Sequence, residues 1–180
     1  MDQKFKRQTS ERGDVYLASS TNFCLTRSDV AKLIDRAQDA PRQRARICSH
    51  RNVDEVIHEM FIVHNRTAFV RPHKHHQKIE SMLILAGELD YLIFDDDGRL
   101  TECHRMSDYS SGLPFYNTTR TELYHSLIVR SEWVAFLEIT KGPFDPSDTV
   151  WADWSPSEED AHLPDFKREL ESGLRTLVDS

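Results

Sequence analysis

The stretch RPHKHHQKIESMLILAGELDYLIFDDDG, residues 71–98, decides the fold. It begins with a cluster of histidines, continues as an apolar run that contains one glycine, and ends in an acidic turn. The dipeptide Asp97-Gly98 is typical of a turn between two strands, because glycine adopts a positive φ without strain. The residues on either side of this turn are therefore predicted to be paired strands.

Other short β-rich runs lie before and after this stretch. Turn-forming residues rather than helices separate them, which favours an antiparallel sandwich or barrel. The runs between about residues 55 and 140 are EMFIVHN, TAFVRPHKH, SMLILAGELDYLIFDDDGRL, LYHSLIVR and EWVAFLEIT. The sequence therefore predicts a mainly β fold for this part of the chain.

A helix is predicted on each side of the barrel. At the first helix, Thr26 with Asp29 fits a capping box, and Pro41 ends the helical pattern. Its apolar face contains Val30, Leu33, Ile34 and Ala37. The second helix has apolar residues at helical spacing near the end of the chain. These residues are Phe166, Leu170, Leu174 and Leu177.

The predicted organisation is one structural domain in three segments. Residues 1–45 contain at most one short strand, at DVYLAS, followed by the first helix and the basic connection PRQRAR. Residues 46–155 form the β-barrel domain, and residues 156–180 form the C-terminal helix. The aromatic segment WADWSP is expected to cover the barrel, which would bury a large aromatic area.

Composition and charge exclude several classes of protein. Of the 180 residues, 38% are hydrophobic and 29% are charged, as in globular proteins, and the net charge of -7 argues against general nucleic-acid binding. The three cysteines are far apart, so they form neither a disulfide framework nor a zinc knuckle, and they fit a reducing compartment. Neither a secretory signal nor a membrane-spanning run is found. A cytoplasmic protein without a nucleic-acid or membrane partner is expected.

The histidine cluster has the spacing of metal ligands on a strand. Alternate side chains of a strand share a face, so His73 and His75 point the same way. Glu80 has the opposite parity, and its carboxylate returns to this face only if the chain bends at residues 76–78. A further ligand is expected from a neighbouring strand, where His125 lies among aliphatic residues and needs a partner. Three imidazoles and one carboxylate suit Zn(II), Fe(II), Mn(II) or Ni(II).

The other histidines lack this spacing. His76 is expected to face solvent in the turn. The remaining histidines are expected at the surface or in structural positions. They are His50, His58, His64, His104 and His162.

Several stretches, taken in order, resemble one known family. They are RQRARICSH, RPHKHHQKIES, LIFDDDGRL, YHSLIV, LEITKGPFDP and WADWSPSEED, between about residues 42 and 160. The chain resembles the WbuC family of cupin-fold metalloproteins, and the opening stretch matches the first cupin motif. This resemblance implies a single cupin jelly-roll barrel with a divalent metal ion in its mouth. The residues that match the metal ligands are His73, His75, Glu80 and His125.

One place departs from the second cupin motif. Arg120 and Glu122 stand where that motif usually has proline and glycine before its histidine, and Val129 stands where an asparagine often follows. The turn into the strand LYHSLIV is therefore expected to be built differently from the usual one.

Four residues are candidates for substrate binding. Arg44 and Arg46 precede the barrel, and guanidinium groups match phosphate and carboxylate; the alternative is a solvated linker. Lys78 shares its parity with Glu80, so it either faces the cavity or caps the turn. Tyr91 is the fourth candidate, and its alternative role is packing.

Two classes of function stay open. Members of the WbuC family are commonly encoded near genes for bacterial surface polysaccharide synthesis, and some distantly resemble sugar-phosphate isomerases. The first class is therefore a metal-dependent isomerase or epimerase of a sugar or sugar nucleotide, in which an open metal position would polarise a carbonyl or hydroxyl group. An Fe(II)-dependent dioxygenase is a variant of this class. The second class is a non-catalytic, metal-stabilised module that binds a sugar or regulates a pathway.

No residue is assigned a catalytic role from the sequence. His104, Lys78 or Tyr91 could supply a general base, and no nucleophile has an evident base beside it. The expected partners are a sugar-related small molecule and a second copy of the chain in a C2 dimer.

Overall fold

The computed structural model describes residues 5–8, 14–120 and 122–178, the last three without their side chains. Over these ranges the chain forms twelve strands and two α-helices. In chain order they are β1 (Phe5–Gln8), β2 (Asp14–Ala18), α1 (Arg27–Gln38), β3 (Arg44–Cys48), β4 (Ile57–Asn65), β5 (His73–His75), β6 (Glu80–Ala86), β7 (Glu88–Phe94), β8 (Leu100–Ser107), β9 (Tyr116–Thr119), β10 (Tyr124–Val129), β11 (Trp133–Lys141), β12 (Thr149–Trp151) and α2 (Leu163–Val178).

The strands form two sheets whose inner faces share one core. The larger sheet has the order β1-β2-β3-β4-β11-β6-β9, and the smaller one has the order β12-β5-β10-β7-β8. The pairs are antiparallel except for β2 with β3. Buried residues of both sheets meet between them, among them Met60, Ile62, Met82, Ile84, Leu89, Ile93, Leu127 and Phe136. The predicted mainly β jelly-roll barrel with flanking helices is confirmed. No helix in the described ranges is both long and apolar enough to span a bilayer.

The N-terminal segment adds three strands to the larger sheet. The strand predicted at DVYLAS is present as β2, but β1 pairs with it and was not predicted. In β1 only Phe5 is buried, so this strand lacks the alternation that marks a half-buried strand. The expected basic connection is also largely a strand, because β3 begins at Arg44 and pairs with both β2 and β4.

Helix α1 covers the outer face of the larger sheet. Its N-terminus has the predicted capping box: the Thr26 N–H donates to Asp29 Oδ2 at 2.9 Å, and the Asp29 N–H donates to Thr26 Oγ1 at 3.3 Å. Leu33 and Ala37 are fully buried against Ala45 and other outward-facing residues of the sheet. Local capping and burial of one apolar stripe therefore fix this helix.

Helix α2 covers the outer face of the smaller sheet. Leu174 is buried there beside Phe94, and Leu170 packs against the same cluster. The Trp154 ring lies 5.2 Å from the Phe94 ring, so the aromatic segment before α2 packs on this face, as expected of WADWSP. The side chain of Leu177 lies outside the described residues. With a helix on each outer face, the central strands are buried on both sides.

Two glycines allow the connections around β7. Gly98 has φ +85° in the turn to β8, where its N–H donates to the Asp95 carbonyl at 3.1 Å, and this confirms the predicted turn. Gly87, between β6 and β7, has φ +84°. A Cβ at Gly87 would clash with the Trp133 carbonyl oxygen and would lie 2.6 Å from Ser131 Oγ. Only glycine fits where β11 approaches this closely.

A buried carboxylate connects the smaller sheet to α2. Asp90, which is 2% exposed, accepts hydrogen bonds from Arg105 and from Arg130 Nε, the latter at 2.6 Å. Arg130 Nη1 also donates to Glu171 of α2 at 2.7 Å. Arg105 Nη1 donates to the more exposed Glu88 at 2.9 Å. Asp90 is thus the shared acceptor of two guanidinium groups.

The substitution Asp90→Asn is expected to lower the free energy of unfolding by about 2–3 kcal/mol, because each of the two arginines loses its buried carboxylate partner and keeps only a more exposed one, Glu88 or Glu171. The cost stays below that of a fully buried pair, since Arg105 is half exposed. Urea unfolding followed by tryptophan fluorescence measures it. The control Glu88→Gln removes an exposed partner of the same arginine and should cost less than about 1 kcal/mol. Equal losses in the two variants would contradict the role of Asp90.

Candidate metal centre

Three histidines meet on the inner face of the smaller sheet. His73 and His75 alternate on β5, and His125 of β10 is paired with His73 across the ladder. The ring centroids lie 4.6 Å apart for His73 and His125, and 4.9 Å apart for His73 and His75. One ligand atom from each histidine lies within 4.8 Å of the other two. The neighbouring strand expected from the sequence is therefore β10.

Hydrogen bonds at Nδ1 orient the three imidazoles. His73 Nδ1 lies 2.8 Å from the Arg71 carbonyl oxygen, and His125 Nδ1 lies 2.9 Å from the Leu123 carbonyl oxygen. Because a carbonyl only accepts, Nδ1 carries the proton in both rings and Nε2 keeps its lone pair. His75 Nδ1 lies 3.3 Å from Thr149 Oγ1. A fixed Nδ1 proton and a free Nε2 are typical of metal-ligating histidines.

Glu80 reaches the histidines from the opposite sheet. The bend expected at residues 76–78 is present, with Gln77 at φ +52°, and it carries the chain from β5 in the smaller sheet to β6 in the larger one. Glu80 Oε2 lies 2.9 Å from His75 Nε2 and 3.8 Å from His125 Nε2. Glu80 therefore faces the histidines despite its opposite parity along the chain, because it lies in the other sheet.

Burial and neighbouring groups set the protonation of the cluster. Burial, followed by the nearby His125, lowers the pKa of His73 to about 3, so this imidazole is neutral and able to act as a ligand. Burial alone would raise the pKa of Glu80, but the hydrogen bond with His75 and the surrounding imidazoles hold it low, at about 2. His125 Nε2 is buried without a hydrogen-bond partner in the described structure. A neutral His73, an ionised carboxylate and an unpartnered Nε2 on His125 fit a divalent metal ion.

Glu138 is a second carboxyl group in the cluster, and the sequence prediction missed it. It lies on β11 and is hydrogen-bonded to Glu80. Burial, followed by the negative charge of Glu80, raises the pKa of Glu138 well above its usual range. Glu138 therefore holds a proton beside an ionised carboxylate. Strand parity in the sequence could have indicated this position of Glu138, because Phe136, Glu138 and Thr140 alternate onto the face that lines the cavity.

A cavity of about 530 Å³ lies between the sheets and contains the cluster. Of the candidate substrate-binding residues, Arg46, Lys78 and Tyr91 line it, whereas Arg44 points to Glu158, 3.2 Å away, and lies outside. Lys78 Nζ is paired with Asp148 Oδ2 at 2.7 Å.

Tyr91 stands between the cluster and the opposite sheet. Its ring is stacked on His125 with centroids 5.7 Å apart, and its hydroxyl lies 3.0 Å from Thr119 Oγ1. Burial raises the pKa of Tyr91, which keeps the phenol protonated. Of the other candidates for a base, Lys78 lines the cavity, but His104 is exposed on β8, where its Nε2 lies 3.1 Å from Glu102.

Three histidines not assigned to the site also line the cavity. His50, His58 and His64 are each at most 6% exposed. His58 and His64 alternate with Met60 and Ile62 on the inner face of β4, so strand parity could have placed them inside. Of the two expected positions, surface or structural, the buried one applies to these three imidazoles, and they belong to the cavity wall.

The residue Glu122, just before β10, contacts the bend after β5. Glu122 Oε2 lies 2.8 Å from His76 Nδ1, and Glu122 Oε1 accepts from the Gln77 N–H at 3.4 Å. The side chain of Glu122 therefore ties this turn to the bend after β5. His76 is exposed, as predicted for a turn residue.

Comparisons with known proteins give the following matches. Residues 25–106, less than half of the chain, match a family model described as a domain of unknown function, DUF6016. No curated protein is significantly similar in sequence. Among solved structures, an oxalate decarboxylase from Bacillus subtilis is 19% identical over 55% of this chain and 24% of that chain, with a TM-score of 0.44. Protein SO0799 from Shewanella oneidensis is 12% identical over 64% of this chain and 72% of that chain, with a TM-score of 0.46.

An oxalate decarboxylase from Lactobacillus farciminis, solved with formate, is 16% identical over 55% of this chain and 28% of that chain, with a TM-score of 0.42. This chain thus spans about a quarter of the length of the oxalate decarboxylase chains that it matches. The oxalate decarboxylase and SO0799 are cupin-fold proteins. At these identities and TM-scores the likeness says nothing about what this chain binds or catalyses.

Proposed function

We propose that this chain is a cupin-type metalloprotein that holds one divalent transition-metal ion at His73, His75, His125 and Glu80. The convergence of three imidazoles, each with its Nδ1 engaged, beside one carboxylate carries the proposal. This donor set suits Zn(II), Fe(II), Mn(II) or Ni(II). The ordered motifs that resemble the WbuC family support the same assignment.

The function that this centre supports best is isomerase-like or epimerase-like action on a sugar or sugar nucleotide of bacterial surface polysaccharide biosynthesis. When bound, the ion would supply Lewis-acid polarisation of a carbonyl or hydroxyl group. Isomerisation also needs a group that holds and moves a proton, and Glu138 lines the cavity beside Glu80. The polysaccharide pathway is supported by the motif resemblance described above.

Glu138→Gln is expected to lower kcat about 100-fold or more while metal content stays unchanged, because glutamine keeps the size of the side chain and a donor toward Glu80 but cannot exchange a proton. The measurement is turnover of sugar phosphates and sugar nucleotides by protein loaded in turn with each of the four metals. Glu59→Gln is the matched control, since Glu59 lies on β4 and accepts from Ser49 Oγ at 2.8 Å. A comparable loss in the control would contradict the role of Glu138.

The same substrate panel separates the alternative functions. Turnover of none of these compounds with any metal would contradict the isomerase proposal. Ligand-dependent thermal stabilisation without turnover would instead indicate the non-catalytic binding or regulatory module. Oxygen consumption restricted to the Fe(II) form would indicate the dioxygenase.

Location and assembly complete the proposal. A cytoplasmic location is inferred from the dispersed cysteines, which fit a reducing compartment. A C2 homodimer is the default for a small barrel with strand-rich edges. The expected partner molecule is a sugar-related small ligand.

A further inference from the structure

An exposed apolar rim is formed by the residues that lead into β4 and by the loop after β11. Its four large side chains are 41–71% exposed: Val53, Val56, Ile57 and Phe144. Backbone hydrogen bonds join the two segments. The Phe144 N–H donates to the Val53 carbonyl at 2.8 Å, and the Gly142 N–H donates to that of Val56 at 2.8 Å. Single exposed apolar residues are common at protein surfaces, whereas a contiguous group of them indicates a binding surface.

This rim is continuous with the cavity that contains the proposed metal centre. Val53 and Phe144 are exposed to solvent, yet both also line the cavity, so they lie where it opens. On β11, Thr140 is paired with Glu80, and the next residue is paired with Ile57 of the rim. A ligand that reaches the centre and extends toward solvent therefore passes over apolar side chains.

The loop after β11 has a fixed position beside the centre. Lys78 Nζ donates to the Pro143 carbonyl at 3.4 Å and is paired with Asp148 Oδ2 at 2.7 Å. The next residue, Thr149, has its Oγ1 3.3 Å from His75 Nδ1. The loop is thus attached both to the bend after β5 and to one of the proposed ligands. The rim is a preformed surface, as is usual for small-molecule sites.

We propose that the rim is a subsite for an apolar substituent, namely an alkyl, acyl or aryl group, on a ligand whose polar end reaches the metal centre. The assignment of a sugar to that polar end rests on the proposed function, whereas the apolar subsite does not. Small-molecule sites combine apolar walls with a few convergent polar groups, which is the arrangement here. The ligand class is therefore a sugar that carries an apolar group rather than a free sugar.

A second copy of the chain is the alternative occupant of such a rim. A copy seated there would close the cavity, because Val53 and Phe144 belong both to the rim and to the cavity lining. The proposed function needs the cavity open to its ligand. The continuity of the two surfaces therefore favours the small ligand, and the oligomeric state is measured in the same experiment.

The test uses the full chain loaded with Zn(II) and measures the binding of glucose, hexyl glucoside and 1-hexanol by calorimetry. Hexyl glucoside is expected to bind at least about tenfold more tightly than glucose, because burial of about two methylene groups gives this gain. Hexanol separates the two ends of the ligand. If it binds as tightly as hexyl glucoside, the apolar subsite stands and the sugar assignment of the proposed function is contradicted.

Phe144→Ser is expected to weaken the binding of hexyl glucoside at least about fivefold and to leave that of glucose unchanged, because only apolar contact is removed. Phe144→Leu keeps an apolar side chain and should retain most of the affinity. Val53→Ser takes its place if Phe144→Ser does not fold, as judged by circular dichroism. Tyr109→Ser is the matched control, since Tyr109 is 80% exposed and, among the described residues, does not line the cavity.

Three results would overturn the subsite. The first is equal affinity for hexyl glucoside and glucose, and the second is equal weakening by Phe144→Ser and Tyr109→Ser. The third is a wild-type dimer, seen by sedimentation, that Phe144→Ser dissociates, because the rim would then belong to a second copy. Metal content of the same preparations tests the proposed function separately: tighter binding of hexyl glucoside without stoichiometric zinc would contradict the metal centre and leave the subsite intact.

Discussion

Protein carrying His73→Ala and His75→Ala is expected to retain less than about a tenth of the metal bound by the wild-type chain, because two of four ligands are lost and the remaining pair cannot hold a divalent ion. The wild-type chain is expected to bind one ion per molecule. Elemental analysis after gel filtration in metal-free buffer measures both values. The substitutions should leave the barrel folded, since both side chains point into the cavity rather than into the apolar core.

His76→Ala is the matched control for this experiment. His76 follows the two ligands directly, but its ring is exposed and bonded to Glu122. Its removal should leave metal content at the wild-type value. His125→Ala then tests the third imidazole on its own, and unchanged occupancy there would exclude His125 from the site. Loss of metal from His76→Ala to the same extent as from the double variant would show non-specific binding by the histidine cluster.

Gly87→Ala is expected to lower the free energy of unfolding by about 3 kcal/mol or more. The added Cβ would meet a backbone carbonyl, that of Trp133, and the Ser131 hydroxyl at 2.6 Å. The clash could be relieved only by displacing β11 from its hydrogen-bonded ladder or by breaking the hydrogen bond from the Glu88 N–H to Ser131 Oγ, which is 2.9 Å long. Either change would cost stability. Urea unfolding in the presence of a chelator gives the value free of any contribution from bound metal.

Gly112→Ala separates the clash from the cost of a positive φ. Gly112 has φ +79°, close to the +84° of Gly87, but a Cβ there would have nothing within 4 Å. Its substitution should cost about 1–2 kcal/mol, the usual penalty for an L-residue in the left-handed region. An equal decrease in the free energy of unfolding of the two variants would show that the close approach of β11 to Gly87 does not contribute to the cost.

Local signals predicted most of the fold. The capping box at Thr26 and Asp29, the turn at Gly98 and the apolar spacing around Leu170 each depend on residues a few positions apart, and each is present in the structure. The strand β1 was missed because three of its four residues are exposed and polar, so that its pairing with β2 alone defines it. The arginines of β3 mask the alternation of Ala45 and Ile47, so its sequence resembles that of a basic connection.

The candidate site was only partly accessible from the sequence. Parity was enough to put His73 and His75 on one face, since both lie on one strand. Glu138, by contrast, comes into contact with Glu80 through the pairing of β11 with β6, and no local pattern states which strands pair. His64 shares its parity with Met60 and Ile62 on β4, so its place in the cavity wall was accessible from the sequence.

Because of the bend between β5 and β6, the ligands of the proposed metal centre come from both sheets. His75 and Glu80 are five residues apart in the chain, yet they belong to different sheets. An ion held by both residues would link the two sheets at the mouth of the barrel, whereas the apolar core holds the sheets together deeper inside. Removal of the ion would therefore weaken the connection between the two sheets at β5, a strand of only three residues.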